Sequence, residues 1–168
     1  MEPIQLKFRD DGSIPNSNLA LLIYKNVFSE EKANAEVITQ HFAQHNWTNA
    51  WRNGVYDYHH YHSTSHEVLG VVSGDATILF GGEQGEEIKI EKGDAVAIPA
   101  GVGHKMIKAS ADFSVVGAYP DGRDYDVLKG EQGERPKADE NIKNVPLPEN
   151  DPVYGKLEGL TALWRYAD

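Results

Sequence analysis

Apolar positions in residues 1–50 follow first a strand-like pattern and then a helical one. The stretch from Leu19 to Phe28 is almost continuously apolar and predicts a strand. Ser29 is a favourable N-cap residue, and acidic residues follow it directly. Beyond it, apolar residues recur at helical spacing, at Ala33, Val37, Ile38 and Phe42. The pattern predicts an N-terminal helix that begins after Ser29 and ends near His45.

Residues 51–120 alternate between short apolar runs and turn-forming residues. The runs are rich in β-branched and aromatic residues, and each closes on Gly, Pro, Asp or a small polar cluster. They are VYDYHHYH, EVLGVVSG, ATILFGG, EEIKIEKGD, AVAIPAG and FSVVGAYP. Short strands at even spacing predict a mainly β fold, a sandwich or barrel with antiparallel pairing.

Residues 121–168 are polar and irregular. Prolines at 136, 146, 148 and 152 argue against a long helix in this zone. Such a zone usually wraps the barrel or covers a site, with disorder as the alternative, and the segment from Tyr119 to Asp126 could fold over the mouth or form a plain turn. The closing GLTALWRYAD is expected to form a final strand. A length of 168 residues fits one domain, so 1–50, 51–120 and 121–168 are interpreted as zones of a single domain.

Composition narrows the range of partners and compartments. The chain has 26 acidic and 16 basic residues and a formal net charge of −10, which disfavours nucleic acid and anionic membrane surfaces. It has no cysteine, which removes disulfides, thiolate ligands and cysteine nucleophiles. No secretory leader and no apolar run of membrane-spanning length is evident, so we expect a cytoplasmic protein.

Histidines and one carboxylate are concentrated between Gly54 and Gly74. Because side chains alternate along a strand, His60 and His62 are expected on the same face. Glu67 begins the next predicted strand close to them. A third histidine, His104, closes the stretch GDAVAIPAGVGH. Three imidazoles and a carboxylate on short glycine-bounded strands indicate a site for a first-row transition metal.

The spacing of these residues resembles the two sequence motifs of the cupin superfamily. Gly54-x5-His60-x-His62-x4-Glu67-x6-Gly74 is similar to the first motif. Gly93-x5-Pro99-x-Gly101-x2-His104 is similar to the second, although the family usually continues to an asparagine where this chain has Lys108. The whole chain also resembles small single-domain bacterial cupins of the YjlB type.

The resemblance implies a fold, a ligand set and a class of chemistry. The fold would be a cupin-like antiparallel β-barrel, a double-stranded β-helix or jelly roll, with an N-terminal helix and an irregular C-terminal wrap. The metal ligands would be His60, His62, Glu67 and His104. They would bind one divalent transition metal ion (Fe, Mn, Ni, Co or Zn) and leave one or two positions open for a small molecule.

Two alternatives concern individual residues near the predicted site. His66 adjoins Glu67 at a turn, where it could replace Glu67 as a ligand or donate to a ligand. No catalytic residue is assigned, but Glu67 and His66 are candidates for proton transfer. Tyr58 is a candidate for orienting the substrate.

Three functions are compatible with such a site. The first is a metal-dependent enzyme acting on a small molecule, with dioxygenase or isomerase chemistry. The second is a non-catalytic cupin that binds a small ligand, and the third is a structural metal site. We also expect a homodimer, in which the predicted strand from Leu19 to Phe28 could pair or swap between subunits.

Overall fold

Two antiparallel sheets form the centre of the computed structural model, which describes residues 2–166. The strands and helices in chain order are β1 (Ile4–Phe8), β2 (Ser17–Tyr24), α1 (Ala35–Gln44), β3 (Trp47–Asn53), β4 (Glu67–Ser73), β5 (Asp75–Phe80), β6 (Glu86–Glu91), β7 (Ala95–Ile98), β8 (His104–Ala109), β9 (Ser114–Pro120), α2 (Lys137–Lys143) and α3 (Leu160–Leu163).

The larger sheet has six strands in the order β1-β2-β7-β4-β9-β3, and the smaller has three in the order β6-β5-β8. All pairings between these strands are antiparallel. Apolar side chains from both sheets fill the space between them, among them Leu69, Ile78, Phe80 and Val96. The predicted mainly β jelly roll is confirmed. The predicted strand VYDYHHYH is wrong, because this segment makes only isolated bridges, at His60 to His104 and at Tyr61 to Leu128.

Helix α1 packs on the outer face of the larger sheet. Ile38 and Phe42 are its buried residues and belong to a cluster with Trp47 and Val68. Gly70 of β4 makes this close approach possible, because a Cβ there would lie 2.7 Å from Cγ2 of Ile38. The helix therefore covers the side of the sheet that faces away from the smaller sheet.

The predicted start of this helix is wrong. The Ser29 carbonyl accepts hydrogen bonds from the amides of Lys32 and Ala33, which closes a separate turn. The helix begins at Ala35, and the side chain of Asn34 caps it by accepting a hydrogen bond from the Val37 amide at 3.0 Å.

The closing segment also differs from the prediction. Instead of a strand, residues 160–163 form the short helix α3, and the last two residues of the segment lie outside the described range. Gly159 has a φ of 66°, and the Leu160 amide donates to Oδ2 of Asp151 at 2.8 Å. These contacts turn the backbone away from an extended path. Residues 121–166 otherwise form the expected irregular wrap, with one seven-residue helix, α2.

Strand β2 lies inside the larger sheet and pairs with both β1 and β7. It has no free edge, so Leu19–Phe28 cannot add a partner strand by edge pairing, and exchange of this segment between subunits stays a prediction. The edges of this sheet are β1 and β3, and the homodimer itself stays a prediction. Among residues 2–166, no helix combines the length and the apolar character needed to cross a membrane.

Candidate metal centre

Three histidines meet between the two sheets. His60, His62 and His104 each offer a ring nitrogen, and these atoms lie within 4.8 Å of one another. All three side chains are buried, with 2% to 5% of their surface exposed. Isolated polar side chains are seldom buried this deeply without a partner, so the cluster is the strongest candidate for a functional site in the described residues.

Backbone pairing places these rings opposite one another. The His60 amide donates to the His104 carbonyl at 3.2 Å, and the His104 amide donates to the His60 carbonyl at 2.9 Å. This isolated antiparallel bridge joins the segment before β4 to the start of β8. The two ring centroids are 3.9 Å apart. His62 follows two residues after His60 and points to the same side, as alternation predicts.

Backbone carbonyls orient all three imidazoles. The Nδ1 contacts are His60 to the carbonyl of Tyr58 at 3.1 Å, His62 to Asp126 at 2.6 Å and His104 to Val102 at 3.1 Å. Since a carbonyl can only accept a hydrogen bond, each Nδ1 carries the proton when the ring is neutral. Each Nε2 then carries a lone pair, and a neutral imidazole with a free nitrogen lone pair is the form of histidine that binds metals.

Glu67 brings a carboxylate beside two of the three histidines, His62 and His104. It is the first residue of β4 and is 2% exposed. Its Oε1 lies 3.3 Å from Nε2 of His62 and 3.5 Å from Nε2 of His104. Lone pairs and a negative charge that face one another in a buried space require a cation or a proton between them. The donor set therefore fits a divalent metal ion.

The pKa shifts in the cluster show which of these groups would hold a proton. Burial acts to raise the pKa of Glu67, but the adjacent imidazoles of His62 and His104 hold it well below its usual range. Burial, with His104 beside it, lowers the pKa of His60 to about 2. Burial also acts to lower the pKa of His62, yet the Glu67 charge raises it overall. A proton on His62 and a metal ion thus compete for the same place.

His66 lies outside the cluster. Its Nδ1 accepts a hydrogen bond from the Ala100 amide at 2.9 Å, and its ring packs on Trp164 with centroids 4.9 Å apart. Glu67, the next residue, points to the opposite side, as expected for adjacent residues at the start of a strand. The structure therefore places Glu67, rather than His66, beside the other predicted ligands.

A cavity of about 360 Å³ extends from the histidines to the surface. Its exposed lining residues include Tyr56, Tyr125 and Val127, which are 51%, 37% and 37% exposed. The remaining lining residues are Trp51, Arg52, Asn53, Gly54, Val55, His60, His62, Glu67, Leu69, His104 and Tyr119. The cavity has the size of a small-molecule site, with aromatic walls and polar groups at one end.

Tyr58, the predicted candidate for orienting the substrate, lies behind another tyrosine rather than on the cavity wall. Its ring stacks on Tyr56 with centroids 4.9 Å apart, and Lys129 Nζ lies 4.9 Å from the centroid of the Tyr58 ring. Tyr56 lines the cavity, whereas Tyr58 is not among the lining residues. Tyr58 contributes through its backbone carbonyl, which accepts a hydrogen bond from Nδ1 of His60.

The segment after β9 folds over the mouth of the cavity, which is one of the two predicted arrangements. Tyr125 stacks on Tyr119 with centroids 4.1 Å apart and meets the His62 ring edge-on at 5.1 Å. Arg123, in the same segment, donates from Nε to the Thr64 carbonyl at 3.2 Å and does not line the cavity.

The sequence analysis did not identify Tyr119 and Trp51 as residues of the site. The Tyr119 hydroxyl donates to Oε2 of Glu67 at 2.6 Å, and the indole nitrogen of Trp51 donates to that hydroxyl at 2.7 Å. A signal for Tyr119 was present, because it shares the inward face of β9 with Val115 by two-residue alternation. Trp51 gave no comparable signal, since its strand contains a register shift.

Comparison with known proteins places this architecture in a family. The family profile of the cupin domain matches residues 52–116. A relative from Bacillus subtilis (strain 168), the uncharacterized protein YjlB, is 46% identical over 158 residues, covering 94% of this chain and 93% of its own. The chain is a cupin. More narrowly, it belongs to the single-domain bacterial cupins of the YjlB type.

Solved structures show weaker likenesses. An acireductone dioxygenase from Bacillus anthracis, with a cadmium ion in its active centre, is 16% identical, with a TM-score of 0.46 over 64% of this chain and 82% of its own. A DUF861 family protein from Thermotoga maritima is 25% identical, with a TM-score of 0.31 over 44% and 75% of the two chains. Similarity at this level does not bear on function.

Proposed function

We propose that this cupin is a metal-dependent enzyme that acts on a small molecule. One divalent transition metal ion, of the group Fe, Mn, Ni, Co and Zn, would be held by His60, His62, Glu67 and His104. One observation carries the proposal: the three imidazoles, each oriented by a backbone carbonyl, meet at the inner end of a cavity that opens to the surface.

The position of the cluster favours a reactive site over a structural one. Structural metal sites are closed by protein ligands on all sides, whereas reactive sites keep a position for water or substrate. Here one side of the cluster faces the cavity. When bound, a metal of this group supplies Lewis acidity or a place for dioxygen to bind, which suits isomerase or dioxygenase chemistry.

The walls indicate what kind of molecule would fit. Trp51, Tyr56, Tyr119 and Tyr125 give the cavity flat aromatic surfaces, and Leu69 and Val127 add apolar ones. A ligand with oxygen donors at one end and a small planar or apolar body would match this arrangement. Glu67 is the carboxylate nearest the reacting end, so it is the candidate for proton transfer among the lining residues.

The first test is elemental mass spectrometry on protein purified without an affinity tag. We expect near-stoichiometric metal in the wild type, and none in the double variant His60→Ala/His104→Ala. The matched control is His59→Ala, whose histidine pairs with the exposed Glu83 and lies outside the cluster. Equal metal contents in all three proteins would refute the ligand assignment.

The second test separates the three functions. Metal-loaded protein is offered diols, diketones, sugars and keto acids while oxygen uptake and NMR spectra are followed. Turnover that is lost in the double variant supports the enzyme. Saturable binding without turnover would instead identify a non-catalytic binding cupin. Metal that only raises the unfolding temperature, without binding or turnover of any compound, would identify a structural site.

A further inference from the structure

A chain of two hydrogen bonds ends on the far oxygen of Glu67. The Trp51 indole nitrogen lies 2.7 Å from the Tyr119 hydroxyl oxygen, which lies 2.6 Å from Oε2 of Glu67. An indole N–H can only donate, and a carboxylate can only accept. The direction of both bonds is therefore determined. The Trp51 N–H donates a hydrogen bond to the Tyr119 hydroxyl, and that hydroxyl uses its one hydrogen to donate to Glu67.

Packing holds both aromatic side chains in place. Tyr119 is fully buried, and its ring stacks on Tyr125. Trp51 pairs with Gly117 across β3 and β9, and a Cβ at Gly117 would lie 2.3 Å from Cζ2 of the indole. Only a glycine leaves room for the ring to lie on the strand. The indole is therefore set in the position from which it reaches the Tyr119 hydroxyl.

The two oxygens of Glu67 consequently have different surroundings. Oε2 accepts the Tyr119 proton, whereas Oε1 lies 3.3 Å from Nε2 of His62 and 3.5 Å from Nε2 of His104. A carboxylate with one oxygen engaged by a strong hydrogen bond has the other oxygen free to bind a metal. Without that bond, both oxygens could turn toward the ion.

We propose that Tyr119, supported by Trp51, is a positioning residue that makes Glu67 a one-oxygen ligand and so keeps a coordination position open toward the cavity. This inference rests on the proposed metal site. It gives a specific role to two residues outside the ligand set. Tyr119 would act through Glu67 rather than on a substrate.

The test uses cobalt(II) as the probe and the full chain. Affinity is measured by competition with a chromophoric chelator, and the visible absorption of the cobalt form reports the number and geometry of ligands. Tyr119→Phe removes the hydroxyl but keeps the ring that stacks on Tyr125. Trp51→Phe removes the indole N–H but leaves the Tyr119 hydroxyl able to donate to Glu67. Tyr24→Phe is the matched control, because this buried tyrosine also donates to a buried carboxylate, that of Asp151.

Because both oxygens of Glu67 could then bind the ion, we expect the visible spectrum of cobalt-loaded Tyr119→Phe to shift toward that of a higher coordination number, with affinity changed about 10-fold or more. Trp51→Phe should show a smaller change in the same direction, and Tyr24→Phe should match the wild type in both readouts. A wild-type spectrum and affinity for Tyr119→Phe would overturn the inference while leaving the metal site intact. If the wild type itself bound no cobalt, the proposed metal site would fail, and the inference with it.

Discussion

The carbonyl oxygen of Asp126 lies 2.6 Å from Nδ1 of His62, joining the segment after the last strand to a predicted metal ligand. The side chain of the same residue holds the turn that follows His62. It accepts hydrogen bonds from the Ser63 amide at 2.6 Å, from the Ser63 hydroxyl and from the Thr64 hydroxyl at 3.3 Å. Asp126 thereby positions His62 through its backbone and the neighbouring turn through its carboxylate.

Replacing this side chain should weaken both the fold and the metal site. Asp126→Ala leaves the Ser63 amide without its partner, so we expect the free energy of unfolding to fall by about 1–3 kcal/mol. Because the carbonyl that orients His62 would lose its fixed position, cobalt(II) affinity should fall about 10-fold or more. Urea denaturation and chelator competition measure the two effects. Asp124→Ala, an exposed aspartate two residues earlier, is the control, and equal results for both variants would contradict this role.

Asp151 should matter for stability and not for the metal. Its carboxylate is fully buried and accepts hydrogen bonds from the Tyr24 hydroxyl and from the amides of Val153, Tyr154 and Leu160. In Asp151→Asn the NH₂ group would face at least one backbone amide, which can only donate, and this should cost about 2–4 kcal/mol of unfolding free energy. Chemical denaturation of the metal-free protein checks this. Metal stoichiometry at 10 °C should remain that of the wild type, and a selective loss of metal would show that the wrap supports the site directly.

Replacing Gly70 and Gly54 by alanine should have different effects on stability. In Gly70→Ala the new methyl would lie 2.7 Å from Ile38 and 2.9 Å from Phe42, so α1 must shift, at a cost of about 1–3 kcal/mol. Gly54 opens the first cupin motif, but no heavy atom lies within 4 Å of a Cβ placed there. Gly54→Ala should therefore change stability by no more than about 0.5 kcal/mol. Thermal denaturation of the two variants side by side tests this, and equal losses would show that α1 does not pack as described.

Acid should destabilise the metal-free protein through His66. Burial lowers the pKa of His66 to about 3, against about 6.5 in an unfolded chain. Between these values the unfolded state binds more protons, so the free energy of unfolding rises with pH. The contribution is complete above pH 6.5 and is lost as the pH falls toward 3, by up to about 1.4 kcal/mol per pH unit.

His66→Asn isolates this contribution, because an asparagine can still accept from the Ala100 amide but does not titrate. Unfolding by urea, followed from pH 4 to 7 with EDTA present, should give a shallower pH dependence for the variant than for the wild type. Parallel curves would mean that His66 is not held neutral by the fold.

Local patterns were enough to predict β4, β5, β6, β7 and β9, but they missed β8 and predicted a strand at VYDYHHYH, where the structure has only isolated bridges at His60 and Tyr61. Period-two alternation put His60 and His62 on one face, and the turn residues around Gly74 and Gly93 marked where strands end. Both glycines have positive φ angles, 69° and 96°, which only a residue without a side chain adopts freely. Gly54, by contrast, needs no such freedom.

Contacts between distant residues lay beyond those patterns. Strand β1 alternates as IQLKF but was not recognised as a strand. Strand β3 lacks a clear alternating pattern and becomes a strand because it pairs with β9. The start of α1 depended on whether Ser29 or Asn34 would cap it, a choice that neighbouring turns decide. The closing helix α3 depended on Asp151, which no periodicity connects to Leu160.

The sequence by itself determined which donor groups can meet, because the shared side of His60 and His62 depends only on their two-residue spacing in extended backbone, and donor chemistry depends only on residue type. Tertiary structure alone decided how that site is completed. The carbonyl of Asp126 on His62 and the Trp51–Tyr119–Glu67 hydrogen bonds join residues that are 52 to 68 positions apart in the chain. Such contacts arise only when the two sheets and the C-terminal wrap pack together, since hydrogen bonds of this kind require the correct distance and direction in space.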